Sequence, residues 1–137
     1  MSKFVLIDGH SILNRAFYGV PIFTNSEGLH TNAVFGFLNI MFKIIDSKQP
    51  DYMAVAFDVH QPTFRHEMFK DYKGTRKPMM EELREQVPVI KELLQKMNIT
   101  TVELPGYEAD DVIGTLSKEG EKAGMEVDVI SGDRDLL

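Results

Sequence analysis

Apolar residues along this chain follow two rhythms. Short, unbroken apolar runs bounded by acids or turn residues read as buried strands, whereas recurrence every three or four positions reads as helix. The runs predict strands over Lys3–Ile7, Tyr52–Phe57, Thr100–Leu104 and Glu126–Ile130. Residues 11–18 suit a short helix. Between 31 and 47, Val34, Phe37, Leu38, Met41, Ile44 and Ile45 mark a longer one, with Thr31 or Asn32 as its cap. Pro78 suits the first turn of a further helix, whose stripe is Leu83, Val87, Ile90, Leu94 and Met97. Pro88 interrupts that stripe, so a kink or break is expected there. A last helix is expected from about Glu108 to Lys122, with Ala109, Val112, Ile113 and Leu116 facing inward and Gly124 at its end.

Strands that alternate with helices, and are themselves apolar throughout, imply an α/β fold with a mostly parallel sheet flanked by helices on both faces. The chain's 137 residues, 43% hydrophobic and 26% charged, suit one soluble domain with a core of its own. No repeat, linker or low-complexity tract divides it. No apolar run approaches the roughly 20 residues needed to span a bilayer, so no membrane partner is expected. The absence of cysteine excludes disulfides, zinc–thiolate sites and a cysteine nucleophile. It fits a reducing compartment, and the cytoplasm is the expected one.

Acids recur where such sheets bind ligands, beyond the carboxyl ends of the strands. Asp8 ends the first predicted strand and Asp58 the second. Glu108, Asp110 and Asp111 follow the third, in the stretch GYEADD, and Asp133 and Asp135 follow the fourth. One such acid is an ordinary helix cap, worth about 0.3–1 kcal/mol through the helix dipole. Seven on one rim repel one another strongly. Hard divalent cations, Mg²⁺ or Mn²⁺, resolve that repulsion, because all the donors are oxygens. On a helix Glu108 and Asp111 are i,i+3 neighbours, whereas Asp110 falls on the other flank. Asp110 joins them only if the first turn bends or starts later.

These seven acids exceed the whole net charge of −6, so the remainder of the chain does not repel nucleic acid. Residues 64–77, FRHEMFKDYKGTRK, carry five Lys or Arg against two acids and show no clean period. Arg65, Lys70, Lys73, Arg76 and Lys77 interleave there with Phe64, Phe69 and Tyr72. Cations that bind phosphates, mixed with aromatics that stack on bases, suit a single-strand grip. A solvated loop with some buried aromatics is the plainer alternative. There is no Walker loop, no G-x-G-x-x-G and no G-x-S-x-G elbow. Ser11 beside His10 reads as part of a turn or cap.

Four separated segments, VLIDGHSILNRAFY, AVAFDVHQPTFRHEMFKDYKGTRKPM, PGYEADDVIGTL and ISGDRDLL, occur in an order that resembles the 5′-nuclease domain of bacterial DNA polymerase I, within the flap endonuclease superfamily. The resemblance runs from about residue 4 to the last. It implies a PIN-like 5′-nuclease core and a 5′→3′ exonuclease or flap endonuclease using two divalent cations. The implied partners are branched or 5′-flap DNA, RNA primer ends and a covalently linked polymerase domain. By position, Asp8, Asp58, Glu108, Asp110, Asp111, Asp133 and Asp135 match the family's metal-binding acids. Lys73 and Arg76 match basic residues that approach the scissile phosphate from an arch, here about residues 60–80. Arg65 and Tyr72 match substrate-handling positions. With Asp58, Lys73 and Arg76 form the expected catalytic set. The chain stops at Leu137, ahead of the family's further strand, two more acids and duplex-gripping helical hairpin, so it reads as the N-terminal part of that domain. Two alternatives stay open: a piece that binds metal and DNA without cutting, and an unrelated Mg²⁺-dependent phosphohydrolase acting on small molecules.

Overall fold

The computed structural model describes residues 1–21, 26, 28–58 and 81–132. The apolar runs become β1 (Lys3–Asp8), β2 (Tyr52–Ala56), β3 (Thr100–Val102) and β4 (Glu126–Ile130). Between them lie α1 (Gly9–Gly19), α2 (Asn32–Lys48), α3 (Glu81–Arg84), α4 (Val87–Lys96) and α5 (Ala109–Lys122). The strands form one sheet in the order β3-β2-β1-β4. Every pairing is parallel, with Asp8 opposite Ala56 and Ile7 opposite Ile130. Among the described residues, no helix is long and apolar enough to cross a membrane.

Strand alternation sends the two faces of this sheet to different helices. Val5, Ile7, Val55 and Phe57 pack against α1, α2, α3 and α4 through Leu13, Phe17, Phe37, Met41, Leu83 and Ile90. Leu6, Ala54 and Ala56 pack against Ala109 and Ile113 of α5, with Phe4, Val102 and Val127 beside them. Side chains of this size contribute about 1.5–3 kcal/mol each when fully buried. The small residues on the second face let α5 lie close. A Cβ added to Gly120 would come within 2.9 Å of Val127 and 3.1 Å of Phe4. α1 approaches as tightly at its first residue, where a Cβ on Gly9 would sit 2.5 Å from the Phe57 ring.

The apolar stripe after residue 80 breaks where Pro88 predicted. α3 ends at Arg84, and α4 begins at Val87 with the proline in its first turn. Gln86, fully buried, sits in the break and serves another helix. Its Oε1 accepts from the N–H groups of Ala33 at 2.7 Å and Val34 at 3.1 Å. Its Nε2 donates to Asn32 Oδ1 at 3.0 Å and to the Glu82 carbonyl at 2.8 Å. Asn32 in turn donates to the carbonyls of Phe17 and Val20, which close α1. Thr31 occupies the N-cap position of α2 but makes no side-chain cap bond. The start of α2 is thus capped by a residue more than 50 positions away.

Next door, Glu85 accepts from the His30 N–H at 3.0 Å and pairs with the His30 ring. The ring hydrogen bond, then the backbone one, hold the Glu85 carboxyl below its ordinary range. A depressed carboxyl stabilises the fold above its unfolded pKa, and that contribution disappears as pH falls through the folded value. Glu85→Gln is therefore expected to flatten the pH dependence of unfolding below about pH 4.5, in urea titrations run from pH 3 to 6. Gln86→Leu leaves the Ala33 and Val34 N–H groups buried without their acceptor. Each such group costs about 1–3 kcal/mol, so the midpoint of chemical denaturation is expected to fall accordingly.

Candidate metal centre

All the strands run the same way, so their carboxyl ends share one rim. Asp8 is the last residue of β1 and the N-cap of α1, 9% exposed, and its Oδ1 accepts from the Ser11 N–H at 3.3 Å. Asp58 follows Phe57, whose N–H still pairs with the Val102 carbonyl at 2.9 Å. Alternation continues from Ala54 and Ala56 to Asp58, toward the α5 face. There, Asp58 Oδ1 accepts from the Ala109 N–H, the first of α5, at 2.5 Å. An acid from β2 and the start of the helix after β3 are thereby tied across 51 positions of sequence.

The helix starts one residue later than the spacing suggests. Glu108 is the N-cap, with extended backbone (φ −85°, ψ 161°), and α5 begins at Ala109. Glu108 and Asp111 form a reciprocal capping box, in which the Glu108 N–H donates to Asp111 Oδ2 at 3.2 Å. Because Glu108 lies outside the helix, Asp110 no longer falls on an opposing flank. One carboxylate oxygen from each of Glu108, Asp110 and Asp111 lies within 4.8 Å of the others. Glu108 is 2% exposed, and Asp110 and Asp111 are half-buried. The later start is the change that the spacing argument required for Asp110.

Three carboxylates at this separation fit a hard divalent cation. Such ions hold oxygens at about 2.0–2.6 Å, so ligands on opposite sides stand about 4–5 Å apart. Helix capping explains part of the clustering, since α5's first N–H groups need acceptors. It engages only some of the roughly four lone-pair sites each carboxylate offers. Asp8 and Asp58 lie on the same rim, outside the tight group of three. Asp133 and Asp135, and Arg65, Lys70, Tyr72, Lys73, Arg76 and Lys77 in the arch region, lie outside the described residues.

Two features of the rim were not apparent from spacing. Ser11, read as a turn or cap residue, reaches across to the end of β4: its hydroxyl accepts from the Gly132 N–H at 2.7 Å. Beside the acids, Val102, Leu104, Tyr107, Asp111, Val112 and Leu116 line a groove of about 630 Å³. Asp111 belongs to both groove and acid group. The apolar pattern places Val102 and Leu104 in the third predicted strand and Val112 and Leu116 on the inward face of the last helix, and gives Tyr107 no role.

The model of the 5′-3′ exonuclease, N-terminal resolvase-like domain matches residues 3–137. The chain belongs to that family. Similar relatives include the DNA polymerase I of Bacillus subtilis (strain 168), 52% identical over 134 residues. That match covers 98% of this chain and 15% of the relative. The DNA polymerase I of Caldicellulosiruptor bescii is 44% identical over 135 residues, covering 98% of this chain and 16% of the relative. The chain thus spans about 15% of the length of the curated relatives it matches. Among solved structures, the zinc-bound bacteriophage T5 5′-exonuclease superposes with a TM-score of 0.71 at 24% identity, over 98% of this chain and 50% of that one. A T5 flap endonuclease complex with DNA and metal ions gives 0.69 at 24% identity, with the same coverage. These likenesses establish that this exonuclease-family chain shares the T5 fold, a parallel sheet between helices.

A cation held by the acid group stabilises the folded chain by mass action, about 2.7 kcal/mol at a hundred times its dissociation constant. Thermal unfolding with Mn²⁺ as the probe, at matched ionic strength, is expected to show that gain. Asp110→Asn is expected to lose most of it while keeping the Glu108–Asp111 capping box. An equal Mn²⁺ response in both proteins would remove Asp110 from the ligand set.

Proposed function

We propose that this chain is the metal-binding, N-terminal part of a cytoplasmic nuclease that hydrolyses DNA phosphodiesters at 5′ flaps and 5′ ends in replication and repair. One observation carries the reading. Asp58 is bonded to the start of α5, where Glu108, Asp110 and Asp111 lie within reach of one cation, in a chain of the exonuclease family. The substrates are branched and 5′-flap DNA and RNA primer ends. A covalently linked polymerase domain is the expected partner, supported by the DNA polymerase I relatives.

Asp8, Asp58, Glu108, Asp110, Asp111, Asp133 and Asp135 hold two divalent cations, Mg²⁺ or Mn²⁺, directly or through water. When bound, the cations supply Lewis-acid chemistry to water and phosphate. Hydrogen bonds from the Ala109 and Glu108 N–H groups orient the Asp58 and Asp111 carboxylates as ligands. Lys73 and Arg76 stabilise charge that develops on the phosphate. Arg65, Lys70 and Lys77 bind the nucleic-acid backbone, and Tyr72 stacks on a base.

A second reading is favoured by the share of its relatives that the chain spans. In it, the chain binds metal and DNA but does not cut. A flap-cleavage assay of this chain with Mg²⁺ or Mn²⁺, beside a version extended past Leu137, separates the two: cleavage by the longer version alone supports the second.

In the complete nuclease domain, Asp58→Ala is expected to abolish flap cleavage and leave DNA binding intact. Turnover at the unaltered rate would refute its role. Charge reversal at Lys73 and Arg76 is expected to weaken both binding and cleavage of flap DNA. Retained turnover would point instead to a phosphohydrolase of small substrates.

A further inference from the structure

We infer that the groove between the end of β3 and α5 seats a nucleobase, with Tyr107 as its stacking platform, beside the phosphate that the cation holds. The inference rests on the reading of the chain as part of a metal-dependent nuclease and adds a second subsite for the same substrate.

The groove exists because α5 packs over β1 and β2, whereas β3 lies outside them as the edge strand of the sheet. Val102 and Leu104 form one wall, and Val112, Thr115 and Leu116 of α5 form the other. Its volume of about 630 Å³ falls among ordinary small-molecule sites, which run from about 300 to 1,000 Å³. Leu104 is 49% exposed and Tyr107 47%, so the fold leaves two large side chains at the mouth of the groove in contact with solvent. Gly106, at φ +85°, turns the chain between them. The Tyr107 N–H closes that turn on the Leu104 carbonyl at 3.1 Å. The backbone of Tyr107 is thereby held in place, directly before Glu108.

Chemistry selects the occupant. Glu103 and Asp111 line the groove, and among the described lining residues there is no lysine or arginine. Glu103 is bridged to Lys91 at 2.8 Å, and the Thr115 hydroxyl donates to the Asp111 carbonyl of its own helix at 3.1 Å. A phosphate or an acidic peptide is therefore repelled from the groove itself, and an anion has its place only at a cation held by the acids. Asp111 belongs to that acid group as well, so the two sites share a wall. A nucleotide joins an anionic phosphate to a flat, uncharged base through one sugar. That order matches the two sites, with the anion at the cation and the base among Tyr107, Leu104 and Val112. Aromatic side chains stack on any base, so the groove accepts bases without sequence preference. A base inside a duplex has both faces covered by its neighbours, so the nucleotide seated here is single-stranded.

The test compares this chain with Tyr107→Ala and Tyr107→Phe. Two probes carry the same phosphate monoester: deoxyadenosine 5′-monophosphate, and deoxyribose 5-phosphate, which lacks the base. Affinities are read by NMR titration with Mg²⁺ and again with EDTA, and Mn²⁺ binding to the unaltered chain by EPR. With Mg²⁺ the nucleotide is expected to bind about tenfold tighter than the baseless probe, the scale of one base–aromatic stack. It is also expected to shift the Tyr107 ring and the Leu104 and Leu116 methyl signals. Tyr107→Ala is expected to remove the preference while the baseless probe binds as before, and Tyr107→Phe to keep it. Equal affinity for both probes, including none measurable for either, overturns the base subsite and leaves the metal centre standing. A preference that survives in Tyr107→Ala or in EDTA does the same. Shifts confined to the acid group, with the groove signals unmoved, mark the groove as a surface covered by protein and also overturn the subsite. Failure of the unaltered chain to bind Mn²⁺ overturns the metal reading, and this inference with it.

Discussion

Because β1 pairs in parallel with both β2 and β4, and β2 in parallel with β3, each strand releases its chain at the same edge of the sheet. The residue after each strand therefore arrives in one neighbourhood, however distant in sequence. An antiparallel pairing anywhere would have sent one set of acids to the opposite end. Parallel pairing requires crossovers, and here these are helices that bury both faces of the sheet. The apolar character of the strands and the acidic character of their ends thus have one cause. The strand is enclosed, and its end is the first place where charge can meet solvent or a ligand.

The start of α5 shows how capping and ligand binding share the same atoms. Its first N–H groups need acceptors, and Asp58 and the Glu108–Asp111 box supply them. The helix N-terminus in return lowers the cost of gathering negative charge. Small residues control where that terminus lies, since Ala109 and Gly120 let α5 settle closely onto β1, β2 and β4. Packing along the helix therefore sets the depth at which its acids meet the rim. On the opposite face, Gln86 and Asn32 bind the end of α1, the start of α2 and the α3–α4 corner into one polar knot.

Much of the fold was legible in local pattern. Glu126–Ile130 reads as a strand and is one, and Pro88 marks the break it was expected to make. α1 starts earlier than the apolar spacing suggests, at Gly9, because Asp8 caps it directly from the strand. Thr31 has the chemistry of a cap, yet Gln86 does the capping. A fully buried amide 53 positions away leaves no local signal. For the site, Glu108 and Asp111 were legible as neighbours on one helix. Asp110 was not, because helical spacing assumes the turn has already begun, and Glu108 lies just outside it.

The sequence by itself determined the element types, the acids at the strand ends and the chemistry those oxygens suit. Periodicity and side-chain chemistry are local properties, and a single chain displays them without being folded. Tertiary structure alone decided the strand order, the contact of Asp58 with Ala109, the convergence of Asp110 with its neighbours and the reach of Ser11 to Gly132. Each depends on where two distant backbones come to rest. That is set by the sum of many packing contacts, and no one stretch of sequence carries it.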